Sequence, residues 1–333
     1  MRYVIIGGSA AAIGCIEGVR SVDKTGEIIL ITGETEWNYS RPLISYLLEG
    51  KTTRDKMWCR PDSFFTRNGV TVKAGVLATT LDAGDRTVRL STGERLAYDR
   101  LLAATGSRPF VPPIPGLETV ERTFCFQTLS DASALAEALR PESRVLILGA
   151  GLTGVKCAEG IRGLCAQIAI ADLAPRVLPA VLDDTGAAMV QARMEEKGVR
   201  FYLNDSAAAF RGNTARLQSG TELEFDVLVT AVGVRPNTQL VADAGGAVDR
   251  GILVDGRCAT TLPDVYAAGD CAQGYDAVSG EKRMLPLWPN AVLQGETAGI
   301  NMAGGRADYT QGIALNASGV FGLHMIKIGR AHV

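Results

Sequence analysis

The feature that most constrains this chain is the segment from Arg144 to Asp172. Arg144-Val-Leu-Ile-Leu-Gly149 is an aliphatic run of strand length that ends in the G-x-G-x-x-G pattern of Gly149, Gly151 and Gly154. Gly149-Ala-Gly151-Leu152-Thr153-Gly154 is the turn, a helix follows to about Cys165, and Gln167-Ile-Ala-Ile-Ala-Asp172 is the next strand. A strand, a glycine turn, a helix and a parallel return strand make one βαβ unit. In such a unit Gly149 permits the tight turn, Gly151 admits a pyrophosphate to the backbone, and Gly154 lets helix and strand pack closely. The helix start then presents free N–H groups to phosphate. Asp172 ends the next strand, about 20 residues past the glycines, where a carboxylate accepts from a ribose 2′-hydroxyl and repels a 2′-phosphate. The pattern therefore favours NAD(H), while the nearby Arg176 keeps NADP(H) open.

The same unit is present in weaker form at the start of the chain. Arg2-Tyr-Val-Ile-Ile-Gly7 leads into Gly7-Gly8-Ser9-Ala10-Ala11-Ala12, a helical stretch to about Arg20, and a second apolar run from Glu27 to Thr32 that ends near Glu34. Ser9 and Ala12 stand where the second and third glycines would be. Small residues still allow a phosphate to approach, but an ordinary tight strand-to-helix connection reads equally well. The two glycine turns lie a whole domain apart, so they are no solenoid period. Between them, Thr71 to Leu102 reads as antiparallel hairpin strands broken at Asp82-Ala-Gly-Asp85 and Ser91-Thr-Gly-Glu94. Pro109, Pro112, Pro113 and Pro115 form a stiff crossover. A helix is predicted near Asp131–Arg140 and strands at Phe225–Val232 and Asp264–Ala268, the latter followed by a polar turn at Gly269-Asp270.

Composition removes several function classes. The chain of 333 residues suits two or three domains, and Lys plus Arg (34) nearly balances Asp plus Glu (36), which argues against a nucleic-acid binder. The two histidines, His324 and His332, lie close to the end, so no histidine proton shuttle or His-rich zinc site sits in the body of the chain. Seven cysteines form no CxxC and no disulfide framework; they read as reduced thiols of a cytoplasmic protein. No apolar run reaches the roughly 18 residues of a membrane span.

Five motifs in order carry a resemblance: the first glycine turn, Ala104-Thr105-Gly106, the central G-x-G-x-x-G, Ala231-Val-Gly233-Val-Arg-Pro-Asn237, and Pro263-Asp-Val-Tyr-Ala-Ala-Gly269-Asp270. Together they resemble the FAD-dependent pyridine nucleotide–disulfide oxidoreductase superfamily over residues 1 to about 325. The resemblance implies an α/β fold of two Rossmann-like, three-layer ββα domains, one inserted in the other. A discontinuous FAD domain would comprise residues 1–108 and 252–312, an NAD(P) domain residues 109–251, and residues 313–333 the truncated start of a C-terminal dimerisation domain. Gly7, Gly8, Ser9 and Ala11 would line the FAD pyrophosphate. Glu34 would meet the adenosine ribose and the Val76 backbone the adenine. Thr105 and Gly106 would pass the flavin, and Asp270, after Gly269, would bond the ribityl chain, with a helix start expected there; a plain N-cap is its alternative. Trp288, in Leu287-Trp288-Pro-Asn-Ala291, would begin a helix at the flavin's pyrimidine edge.

The loop Tyr39-Ser-Arg41-Pro42-Leu-Ile-Ser45 looks like its counterpart in rubredoxin and ferredoxin reductases and in nitrite reductase flavin modules. Arg41 is a phosphate ligand there or a solvated loop arginine. No cysteine lies between Cys15 and Cys59, where thiol-dependent relatives carry their redox cysteine, which argues against peroxide or disulfide reduction through a thiolate. Cys271 is the cysteine nearest the flavin by motif, with a buried hydrophobe as its plainer reading. Lys156 departs from the family's frequent glutamate and is a candidate near the nicotinamide; pointing to solvent is the alternative. The last six residues, Ile328 to Val333, resemble a translated sequencing adapter, so a gene fragment is expected. The expected activity is hydride transfer from NADH to FAD, with electrons passed to a small redox protein or an iron–sulfur subunit, the parent being a homodimer. An NADH oxidase using oxygen and a non-catalytic flavin- and NAD-binding subunit are the alternatives.

Overall fold

The computed structural model describes residues 1–328. His332 and all but the first residue of the adapter-like end lie outside the described residues. Contacts divide the chain into two units. One holds Met1–Tyr39, Trp58–Ser107 and Pro236–Leu315; the other holds Ser40–Met57, Arg108–Arg235 and the chain from Asn316 on. The first crossing falls at 107/108, beside the expected 108/109. The return falls at 235/236 instead of 251/252, because Asn237 is bonded to the Thr105–Gly106 segment: its N–H donates to the Gly106 carbonyl at 2.9 Å. Segments 40–57 and 316–328 also group with the second unit, which the sequence did not suggest.

In the first unit, β1 (Arg2–Ile6), α1 (Ala10–Val22) and β2 (Glu27–Thr32) form the βαβ start. β1 lies between β2 and the strand Arg100–Ala103, all parallel, and Val70–Ala74 and Val265–Ala267 flank them. Alternate residues of β1 enter different cores. Tyr3 and Ile5 pack with Ile13 and Ile16 of α1, whereas Val4 and Ile6 pack with Leu81, Val88, Leu90 and Leu96. The strand reads as a continuous apolar run because both faces are covered. The cover on one side is helical and on the other a three-stranded antiparallel sheet of Ala78–Asp82, Thr87–Leu90 and Arg95–Ala97, which gives the expected three layers. The ends of the Thr71–Leu102 stretch are not antiparallel hairpin strands: Arg100–Ala103, with Leu101, Leu102 and Ala103 buried, pairs in parallel with β1, and Val70–Ala74 takes the edge that β2 leaves open.

The unit is closed by helix Trp288–Met302, which lies along α1. The contact is backbone on backbone. A Cβ on Gly14 would stand 2.2 Å from the Val292 carbonyl oxygen, and one on Gly295 would stand 2.0 Å from that of Ala11. Such approach admits no side chain at either position.

The second unit repeats the plan. β3 (Arg144–Leu148) lies between β4 (Gln167–Asp172) and Val227–Thr230, with Val199–Leu203 and Thr123–Phe124 outside them. Leu146 and Leu148 pack with Phe210, Ala215, Leu217 and Phe225 around a second antiparallel ribbon. The helix predicted at Asp131–Arg140 spans Leu129–Ala138, fixed by a capping box of Thr128 and Asp131. The short helix α2 (Ile44–Leu48) packs on α3 (Leu152–Ile161), and β5 (Leu315–Val320) with β6 (Leu323–Ile328) forms a hairpin.

Gly14→Val should lower stability by about 1–3 kcal/mol or more, since overpacking against fixed backbone has no relief. Thermal unfolding monitored beside Gly163→Ala checks this. Gly163 has open space, so that control should unfold at or above the parent's temperature. An unchanged midpoint for Gly14→Val would refute the helix contact.

Candidate functional site: two glycine turns at strand ends

Each unit places its glycine turn at the carboxyl end of its first strand, where strand order reverses and ligands of open α/β sheets bind. In the second unit Gly149 has φ +109°, and a Cβ there would stand 2.4 Å from the Ala231 carbonyl oxygen. A Cβ on Gly154 would stand 1.9 Å from the Gly149 oxygen, which is the close packing that the motif requires. Beside Gly151 nothing stands within 4 Å. α3 starts at Leu152 and Thr153 with no side-chain cap, so its first N–H groups face that open side.

A cleft of about 380 Å³ lies here, walled by Gly151–Thr153, Asp172–Leu173, Leu178–Val181 and Ala231–Gly233. The Asp172 carboxylate accepts from the Ala150 N–H at 2.5 Å and from the Ala174 N–H at 2.7 Å. It ties the glycine turn to the end of β4 while remaining on the cleft wall. Gly233, at φ +114°, accepts from the Phe110 N–H at 2.9 Å and brings bare backbone to the far side. Arg176 is paired with Asp184 at 3.0 Å. Sequence reasoning missed the Leu178–Val181 wall, which carries no motif.

In the first unit Gly7 has φ +118°, and its N–H continues the sheet ladder to the Ile31 carbonyl at 2.7 Å. Ser9 caps α1 by position only, without a side-chain bond. Gly8 lies against Thr32 and Trp37. Ala11 is buried, its methyl 3.3 Å from the Cβ position of Gly269, so it packs the turn rather than opening it. Glu34 accepts from the Tyr39 hydroxyl at 2.5 Å, and the Val76 N–H donates to the Thr32 carbonyl at 3.0 Å. Asn38 was missed: it is buried at φ +65°, donates to the Arg60 carbonyl, and leaves Oδ1 without a partner. An orphaned buried acceptor beside an uncapped helix start suits a ligand that brings its own donors.

The Thr105 hydroxyl donates to the Asn237 carbonyl at 2.6 Å, and the Asn237 amide returns a bond to the Thr105 carbonyl at 2.9 Å. Two of the five motifs are thus one structural feature. Asp270 accepts from the Ser107 hydroxyl at 3.1 Å. It is not at a helix start, as expected, nor an N-cap: Gly269, at φ +81°, turns the chain into the strand Ala272–Tyr275. The Gly269 N–H donates at 2.8 Å to Gln294, a buried residue of helix Trp288–Met302. Trp288 does begin a helix, with Pro289 in its first turn. In the second unit Arg41 donates to the Gln127 carbonyl at 2.9 Å, and Pro42 follows it in a 3₁₀ turn.

Lys156 does not point to solvent. Its ammonium meets Glu159, the Gly319 carbonyl at 3.0 Å and the Tyr46 ring at 4.2 Å. All seven cysteines are free. Burial pushes the Cys59 and Cys165 thiols up to about 11 and Cys258 up to about 12, and raises Cys15, Cys157 and Cys271 as well. Among the described residues no cluster of His, Cys, Asp or Glu could hold a metal ion, and no helix is long and apolar enough to cross a membrane.

The family model for pyridine nucleotide-disulphide oxidoreductases matches residues 1–295. The chain belongs to this family. It is 33% identical to the NADH-dependent phenylglyoxylate dehydrogenase subunit epsilon of Aromatoleum evansii, over 100% of this chain and 80% of that protein. It is 30% identical to an NADH oxidase of Methanocaldococcus jannaschii, over 93% of this chain and 71% of that protein. Putidaredoxin reductase, solved as a covalent complex with putidaredoxin, superposes with a TM-score of 0.91 at 25% identity, covering 99% of this chain and 81% of the other. The chain is accordingly an oxidoreductase of the two-domain Rossmann type that uses FAD and a nicotinamide nucleotide.

A thiol held near 11 is about one-thousandth thiolate at pH 8. Cys59 should therefore be alkylated slowly at that pH, its rate rising about tenfold per pH unit toward pH 11. Mass mapping of iodoacetamide labels reads this directly; a rate that levels off below pH 9 would contradict it.

Proposed function

We propose that the chain takes reducing equivalents from NADH and delivers them, by way of FAD, to a small redox protein or a partner iron–sulfur subunit. The observation that carries this reading is the cleft at Gly151, where an uncapped helix start and a fixed carboxylate, Asp172, face the same space. The backbone at Gly149, Gly151, Leu152, Thr153 and Gly154 would hold the nucleotide's diphosphate, Asp172 would accept from the adenosine ribose, and Gly233 would carry the chain past the nucleotide. Arg176, engaged with Asp184, leaves the carboxylate to set the choice of NADH over NADPH.

The first turn would hold FAD through Gly7, Gly8 and Ser9, with Glu34 at the ribose, its carboxylate aligned by Tyr39. Val76, with its N–H already bonded, would offer only its carbonyl to the adenine. Thr105, Gly106, Gly269 and Asp270 would line the way to the flavin, and the N–H groups at Trp288 would favour negative charge there. When bound, FAD supplies a two-electron acceptor that can release electrons singly. The protein's part is position, exclusion of water and fixed dipoles, which needs no histidine.

The external acceptor follows from what the relatives' names say of those proteins: a subunit of a larger dehydrogenase and a reductase joined to putidaredoxin. The buried high-pKa thiols suit a reducing, cytoplasmic setting and a route that bypasses thiol chemistry. We place the working protein as a homodimer, which light scattering tests. The Methanocaldococcus relative favours a second reading, in which oxygen is the acceptor.

Anaerobic addition of NADH to the yellow protein should bleach the flavin band near about 450 nm within seconds. Air should restore the band slowly and a rubredoxin or ferredoxin quickly; equal rates would favour the oxidase. Absence of bleaching would refute the proposal. Asp172→Asn should lower kcat/KM for NADH about tenfold and narrow the preference over NADPH, as expected when a charged acceptor is lost. An unchanged nucleotide preference would remove Asp172 from the site.

A further inference from the structure

We infer that Lys156 and Glu159 of α3 clamp the tip of the β5–β6 hairpin, and that this clamp couples the hairpin's position to nucleotide binding at the amino end of the same helix. The inference rests on the Gly151 cleft being the NADH site. Glu159 is buried and Lys156 largely so, with side chains 2% and 12% exposed. Neither residue lines the cleft, so both are positioning residues.

Each member of the pair also holds hairpin backbone. Lys156 donates to the Gly319 carbonyl at 3.0 Å, and Glu159 accepts from the Phe321 N–H at 2.6 Å. From the helix Asp184–Glu196, Arg193 donates to the Phe321 carbonyl at 3.2 Å. Both backbone groups of Phe321 are thus fixed by charged side chains. Phe321 has φ +48° and Gly322 +86°, the pair of left-handed residues that a two-residue hairpin turn needs. Asn or Gly normally takes the first place; an aromatic residue there is rare and persists where its surroundings over-determine it. The clamp supplies that determination. Tyr46 backs it: the Lys156 ammonium lies over its ring at 4.2 Å, Lys51 lies at 5.8 Å, and a Cβ on Gly319 would stand 3.2 Å from the tyrosine oxygen.

The coupling follows from the size of α3, which is ten residues long. Its first turn meets the nucleotide cleft and its next carries the clamp. A buried ion pair tolerates little loosening, because a charge left without its partner is strongly unfavourable. A helix settled by nucleotide therefore settles the tip, and by thermodynamic reciprocity a settled tip strengthens nucleotide binding by the same factor.

The test pairs calorimetry of NAD⁺ binding with hydrogen–deuterium exchange on the full chain. Saturating NAD⁺ should slow exchange of the peptide covering 317–322 at least threefold. Glu159→Gln should speed that exchange in the free protein and weaken NAD⁺ binding by a matching factor. Should Glu159→Gln fail to fold, Arg193→Gln carries the test, since it releases the Phe321 carbonyl without altering α3. It too should loosen the tip and weaken NAD⁺ at least threefold. NAD⁺ binding that leaves 317–322 unchanged, or a loosened tip in Arg193→Gln with full NAD⁺ affinity, would overturn the coupling. No NAD⁺ heat in the parent protein would overturn the assignment of the cleft, and the coupling with it, while exchange at 317–322 would still respond to Glu159→Gln.

Discussion

The first unit depends on one contact, the backbone-on-backbone seam between α1 and helix Trp288–Met302. The two helices come from opposite ends of the chain, with most of the second unit's sequence between them. Closing so long a loop adds only slowly to the entropic cost, about 0.6 kcal/mol for each doubling. The seam offsets that cost with close dispersion contact and with the burial of Ala11, Ile16, Ala298 and Met302. It also sets Gly269 against Ala11, so the first glycine turn and the Gly269–Asp270 turn are brought together as one edge. Had either helix carried side chains at Gly14 or Gly295, the edge would open and the two turns would no longer share a site.

The polar residues of the expected site share a second property: most are hydrogen-bonded within the protein before they meet any ligand. Asp172 fixes Ala150 and Ala174, Thr105 and Asn237 fix each other's segment, and Tyr39 holds Glu34. Such bonds lock rotamers in advance, so a ligand meets groups whose ordering entropy is already lost. In a fold whose chemistry resides in bound cofactors, this pre-ordering is the protein's main contribution, and it explains how a chain with two histidines can support redox catalysis.

What was legible in the sequence was local. The strand, turn and helix at Arg2–Val22 and Arg144–Ile161 could be read because steric rules place glycine at φ above zero and apolar residues on both faces of a central strand. The pairing of Val70–Ala74 and Arg100–Ala103 was not legible, since a short apolar strand looks the same in a parallel or an antiparallel ladder. Asp270 misled for a related reason. A carboxylate after a glycine is a common helix start, yet the residues after it, Ala272 to Tyr275, pair with a strand at Ile252–Leu253 that only the fold brings near. Nothing local announces that Glu159 and Arg193 hold the tip of the hairpin at Leu315–Ile328.

Lys156 shows how the two kinds of information combine. By motif it lies two residues past the last glycine and points to the nicotinamide. By contact it is bound to Glu159, Gly319 and Tyr46, and its charge is neutralised in place. A lysine so held cannot swing toward a substrate without leaving a buried carboxylate uncompensated, a change worth several kcal/mol. The position that the motif marks is therefore occupied by a structural cation, and the helix whose uncapped start walls the Gly151 cleft continues by holding another part of its own unit. One short helix thus both walls the cleft and holds the hairpin tip.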